Sequence, residues 1–196
     1  MFFDIYQSKT PSRDGLNGIY VYHEATPLPA LPDLTYKASY VRESNSKSSG
    51  LSEAYGWYAT PAYQLSSLPW TPQLSYRYAS FTGGGTRAFD PLFTGTSDWG
   101  SWAQGELLGE YVLSNSNLNS NQVRLLLKPN ETVTTNLIYY KFQLNNRNQA
   151  FGLTPSRVSR NLADEVDLII DVAMTNCGRS PQPVRWRIRT RAFARP

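Results

Sequence analysis

Residues 118–144 read LNSNQVRLLLKPNETVTTNLIYYKFQL, two strand-favouring segments on either side of Lys128-Pro129-Asn130-Glu131. Pro129 has no N–H to give to a ladder and Asn130 tolerates turn geometry, so the segments are expected to pair antiparallel. In the first, Val123, Leu125 and Leu127 share one face while Gln122, Arg124 and Lys128 share the other, with Leu126 as the exception. In the second, Val133, Leu137 and Tyr139 alternate with Thr134, Asn136 and Tyr140. One apolar and one mostly polar face fit either a sheet lying on a core or a barrel wall with lipid outside and water inside.

The same period recurs on both sides of this pair. Strands are expected at 17–24, 33–42, 53–66, 72–81, 120–128, 131–143 and 163–173. Leu34, Tyr36, Ala38 and Tyr40 alternate with Thr35, Lys37, Ser39 and Val41; Leu74, Tyr76 and Tyr78 with Ser75, Arg77 and Ala79; Val166, Leu168, Ile170 and Val172 with Glu165, Asp167, Ile169 and Asp171. Pro61 interrupts its segment, as an edge, a bulge or a projecting strand would allow. The stretch 103–113, AQGELLGEYVL, fits either a strand or a short helix. Barrels keep short turns on one side and long loops on the other. Turns at 25–32, 67–72 and 129–131 and loops at 43–52, 82–119 and 144–162 obey that parity only if 103–113 does not span. It is therefore expected within the long loop, as a helix folded against the mouth or into the lumen.

Composition narrows the class. Thirteen Tyr, eight Phe and five Trp accompany a charged fraction of only 17%, and Tyr and Trp favour places where an apolar body meets a wet end. There is no run of about 20 apolar residues, which excludes a spanning helix. Residues 177–196 hold six arginines and no acid, whereas residues 1–176 carry 13 basic against 15 acidic side chains. The bulk of the chain is thus not a nucleic-acid binder by charge. Cys177 is alone, so there is no disulfide framework. The start, MFFDIYQSKTPSRDG, lacks the basic and apolar regions of a signal peptide. The expected organisation is an irregular segment at 1–16, a barrel-like domain at 17–176, and a basic tail at 177–196 that is disordered or non-native.

No catalytic motif is present. His23 is the only histidine, and its neighbour Glu24 points to the opposite face of a strand. GGG at 83–85 lacks the following helix and Lys of a phosphate loop. The chain is read as a non-enzyme with no cofactor and no metal site.

With the pattern laid out, LTYKASYVRE (34–43), EAYGWYATPAYQLSSLPWTPQLSYRYASF (53–81), AFDPLFTGTSDWGSWAQGELLGEYVLSNSNLNSNQVRLLLKP (88–129) and LADEVDLIIDVAMTN (162–176) resemble the alginate export family. The resemblance implies an all-β antiparallel meander forming part of a transmembrane β-barrel in the outer membrane of a Gram-negative bacterium. It also implies a parent barrel that is large and monomeric, with lipid around it and a basic lumen passing an anionic polysaccharide. Against that pattern the strands are too few, and the chain looks like a truncated segment with an incomplete wall.

On this reading Lys37, Arg77, Arg124 and Lys128 face a lumen, where distributed cations attract a polyanion without one deep trap. The alternative is ordinary lumen charge, balanced by a wall network of Glu165, Asp167 and Asp171. Asp90 and Asp98, with Glu106 and Glu110 nearby, suit a pore constriction, a Ca²⁺ site, a solvated loop or loop-to-wall pairs. Trp99 and Trp102 are the candidates for sugar contact, whereas the strand-end tyrosines suit an interfacial girdle. The expected function is a passive channel for alginate or its fragments. The alternatives are a soluble β-sandwich carbohydrate-binding module and a non-functional fragment of the channel. The two main readings differ in whether the apolar stripes are covered by protein or exposed as one belt.

Overall fold

Alternation of β-branched, aromatic and small polar residues through most of the chain leaves no helical period, and the computed structural model forms one antiparallel sheet. It describes residues 1–45, 47, 53–90, 92, 104–105, 115–147, 160–174 and 184–192. The strands are β1 (Phe2–Asp4), β2 (Leu16–Ala25), β3 (Leu34–Asn45), β4 (Ala54–Gln64), β5 (Gln73–Phe81), β6 (Leu118–Leu127), β7 (Val133–Leu144), β8 (Asn161–Met174) and β9 (Val184–Ala192). Each pairs with its neighbours in sequence, in the order β1 to β9, and β1 and β9 stand at the two ends. The seven expected strands are β2 to β8 in the expected order.

Parity holds as well. The Leu65–Pro72 turn closes by Leu65 N–H donating to Pro72 O at 2.7 Å, and Lys128 N–H reaches Trp70 O at 2.9 Å, so these short turns touch at one end. At the other end Asn117 N–H donates to Thr82 O and Asn145 N–H to Asn117 O, both at 3.2 Å, tying the long connections together. Trp70 and Thr71 have φ of 66° and 40°, a left-handed conformation unusual outside glycine that the tight Leu65–Pro72 turn imposes.

Register builds two different faces. On the outer one, Leu34, Tyr63, Leu74, Leu125, Leu137 and Leu168 lie side by side across β3 to β8. Beside them run Tyr76, Val123, Tyr139 and Val166. These apolar side chains are uncovered: Leu74 is 52% exposed, Leu137 47% and Val123 43%. No second sheet lies over them among the described residues.

The inner face departs from expectation. It was read as polar and water-lined, yet Val41, Ala54, Phe81, Phe89, Leu118 and Phe142 form a buried cluster at its long-loop end. The sheet therefore changes character along its strands: the bare apolar residues lie outward toward the short turns, and the packed ones lie inward toward the long connections, where Ser80, Asn119 and Gln143 share the outward parity. Gly56 permits this packing. A Cβ at that position would stand 2.8 Å from Phe81 Cδ1 and 2.9 Å from Phe89 Cζ.

Pro61 sits inside β4 with neither an edge nor a bulge. Its partnership with β3 is unbroken, opposite Tyr36. On the β5 side the ladder skips from Ala59↔Tyr78 to Ala62↔Ser75, as a missing N–H requires. Arg77 Nε donates to Thr60 Oγ1 at 2.8 Å beside that gap.

Both termini differ from the sequence reading. Within the segment expected to be irregular, Phe2–Asp4 pairs with Asn17–Ile19 of β2. The Met1 ammonium continues the contact by donating to Tyr20 O at 2.7 Å. Within the tail expected to be disordered or non-native, Val184–Ala192 is β9, whose register sets Arg187 opposite Asp171 and Arg191 opposite Asp167.

Candidate functional site: the inner face

Below the apolar cluster, toward the short turns, the inner face becomes a band of guanidinium, phenol and amide groups. Strand parity puts Tyr58 and Thr60 of β4, Arg77 of β5, Gln122 and Arg124 of β6, and Asn136 and Tyr140 of β7 on this side. Arg77, 7% exposed, lies with its Cζ 4.6 Å from the centre of the Tyr58 ring, a cation–π distance. Arg124 is held by Asn136, whose Oδ1 accepts from Nε at 2.8 Å and from a terminal guanidinium nitrogen at 2.5 Å. Glu165 and Asp167 of β8 are buried on the same face, and Asp171 is half-buried.

The long connection folds onto this band. Gln104 is fully buried, with Oε1 accepting from Ser120 Oγ at 2.5 Å. A Cβ on Gly105 would stand 2.6 Å from Phe142 Cζ and 3.1 Å from Glu165 Oε2. Gln104 and Gly105 thus occupy the inward placement expected for 103–113, and the rest of that stretch lies outside the described residues. Gln104 Nε2 and Gln122 Oε1 are buried without a hydrogen-bond partner among the described residues. One donor and one acceptor are left for a hydroxyl-bearing solute or water.

The expected site residues separate into groups. Arg77 and Arg124 meet on the inner band with Glu165, Asp167 and Asp171. Lys37 stands apart, exposed, with Nζ 2.8 Å from Glu24 Oε1. Lys128 lies past the end of β6 in the short turn and is exposed, so it belongs to the rim and not to the wall. Asp98, Trp99, Trp102, Glu106 and Glu110 lie outside the described residues. Tyr58, Thr60, Gln122 and Asn136 carry no role in the sequence reading, although the same period-two count places them beside the arginines; Tyr140, expected in an interfacial girdle or stacked on a sugar, is buried on the inner face.

Of the readings expected for Asp90, loop-to-wall pairing is the one its contacts match. Its carboxylate takes both Nε and a terminal nitrogen of Arg13, at 2.8 and 2.7 Å, while its N–H donates to Glu43 Oε2 at 2.9 Å. The Asp90 hydrogen bond holds the Arg13 guanidinium above the usual arginine range. Glu43 is fully buried, so removing Arg13 leaves two neighbouring carboxylates without their cation. Arg13→Ala is expected to cost about 1 kcal/mol, a charge-assisted bidentate pair discounted for the half-exposed arginine. Hydrogen exchange checks this through loss of protection at Asp90 N–H and Gly15 N–H.

Among the described residues no three His, Cys, Asp or Glu side chains are grouped to hold a metal ion. No curated protein matches this sequence. The model of the alginate export family matches residues 32–181, a span from the turn before β3 to beyond β8. The chain therefore belongs to the alginate export family, whose members are porin-like transport proteins of polysaccharide export and not enzymes.

Proposed function

We propose that this chain forms wall of a passive outer-membrane channel that conducts an anionic polysaccharide such as alginate or its fragments, in contact with lipid on its outer face. The observation that carries the reading is the division of a single sheet into two faces. Leu74, Val123 and Leu137 are bare on one side, while Arg77 and Arg124 sit among phenols and amides on the other. A soluble sandwich would cover the first set with a second sheet. Lipid leaves it uncovered and charges the cost to any polar group placed there.

The inner band suits an acidic sugar polymer. Guanidinium groups pair with carboxylates, tyrosine rings offer apolar faces with a polar tip, and amides match hydroxyls. Arg77 and Arg124 keep their charge but already engage Tyr58 and Asn136, which weakens each as a trap and favours passage over capture.

The test is conductance of the full chain refolded into planar bilayers. Acidic oligosaccharides are expected to produce transient blockades that neutral ones of equal length do not. Arg77→Gln with Arg124→Gln is expected to weaken the blockade by about tenfold, the loss of roughly one charge-assisted hydrogen bond. Equal blockade by neutral and acidic oligosaccharides in the unmutated protein refutes the polyanion reading.

A further inference from the structure

The outer face is not uniformly covered by large side chains. His23, Ala38, Ala59 and Tyr78 fall in one row across β2 to β5, and the two alanines leave a depression. Val21, Tyr40 and Trp57 form the next row on the long-loop side. Together Val21, His23, Ala38, Tyr40, Trp57 and Ala59 line an open cavity of about 250 Å³. Its walls are ordered. The Trp57 and Tyr78 rings stand 5.3 Å apart, and at the other end Tyr36 and His23 rings lie 5.3 Å apart with Tyr36 Oη 2.6 Å from His23 Nδ1.

We infer that this groove seats one acyl chain of a membrane lipid, an inference that rests on the channel reading above. Three observations favour that occupant. The groove is continuous with the bare apolar belt, since Tyr36 and Pro61 in the adjoining row lead on to Leu34 and Tyr63 beside Leu74. Its level is that of hydrocarbon: Ala38 is four residues along β3 from Arg42, which forms an exposed ion pair with Glu53 at 2.6 Å, about 13 Å at strand rise. Finally, the groove's walls are almost wholly apolar, with the Tyr36 hydroxyl paired to His23 Nδ1 at its end, so little in the groove calls for a polar ligand. A flexible hydrocarbon fills such a shallow aromatic-walled trough through dispersion contacts that neighbouring lipids make less well.

The experiment is photocrosslinking of the full chain, refolded in phosphatidylcholine vesicles, with a phosphatidylcholine carrying a diazirine near mid-chain. Labelled positions are mapped by mass spectrometry. The expected result, at one fixed probe fraction, is labelling at Tyr40 and Trp57 several-fold above that at Leu74, Val123 and Leu137. Ala59→Leu fills the trough with an apolar side chain and is expected to lower labelling at Tyr40 and Trp57 by more than half, leaving the other three unchanged. Equal labelling at all five positions in the unmutated protein overturns the seat and keeps the belt. Labelling of the belt with none at Tyr40 or Trp57, as a second copy packed into the groove produces, also overturns it. No labelling at Leu74, Val123 and Leu137 either overturns the channel reading itself.

Discussion

Replacing Phe142 by alanine is expected to lower folding stability by about 3–5 kcal/mol, the usual cost of emptying a buried aromatic site. Phe142 is fully buried, stacks on Tyr140 at 5.4 Å with ring planes 9° apart, and meets the long connection at Gly105. Its loss removes a ring that three elements share, so the site has little freedom to collapse. Tyr139, three residues earlier in β7, lies on the opposite face, 40% exposed, and Tyr139→Ala is expected to cost much less. Urea titration of the refolded protein in detergent, followed by tryptophan emission, gives the comparison. Equal shifts for the two substitutions would mean that the inner face is not the packed one.

The second large effect comes from the outer face. Val123→Arg is expected to destabilise the bilayer-folded protein by about 2–4 kcal/mol, the cost of an arginine near the midplane of a barrel wall. Val123 is 43% exposed, with Tyr76 and Tyr139 as its cross-strand neighbours. The next residue, Arg124, is an arginine already, accommodated because it points inward to Asn136. A guanidinium at 123 has hydrocarbon around it, and one at 124 has an amide. Reversible folding into vesicles under urea measures the difference, and the same substitution in a soluble sandwich would instead bury a charge between sheets and block folding in water as well. Indistinguishable stability of Val123→Arg and the parent protein in bilayers would sink the lipid-facing assignment.

How much of this was legible follows from what a period of two can carry. Alternation located β2 to β8 and sorted Arg77 and Arg124 from Leu74 and Val123, because a one-residue slip would invert every side chain. It did not reveal that the inner face turns apolar at one end. Val41, Phe81 and Phe142 share parity with Lys37, Arg77 and Asn136, and averaging along a strand hides a change of character partway. β9 was missed for another reason. The stretch after Asn176, taken whole, reads as basic repeats without a clean strand period, although VRWRIRTRA within it alternates strictly, and nothing local shows that acids stand opposite it in β8. β1 is three residues long, below what any periodicity can register. The partner of Asp90 was not legible because Arg13 lies 77 residues away, and no local pattern announces such a pair.

The strictly sequential strand order also bears on how the sheet assembles. Contacts between successive neighbours close short loops, except at β5 and β6, which are joined by residues 82–117. That span is roughly sevenfold longer than the turn between β6 and β7, and its closure costs about 1.7 kcal/mol more entropy. Local pairing is also faster than distant pairing. The chain is thus divided kinetically into a leading unit of β1 to β5 and a trailing unit of β6 to β9. Their joining along the β5/β6 seam is the slow event, and it completes the band in which Arg77 and Arg124 become diagonal neighbours.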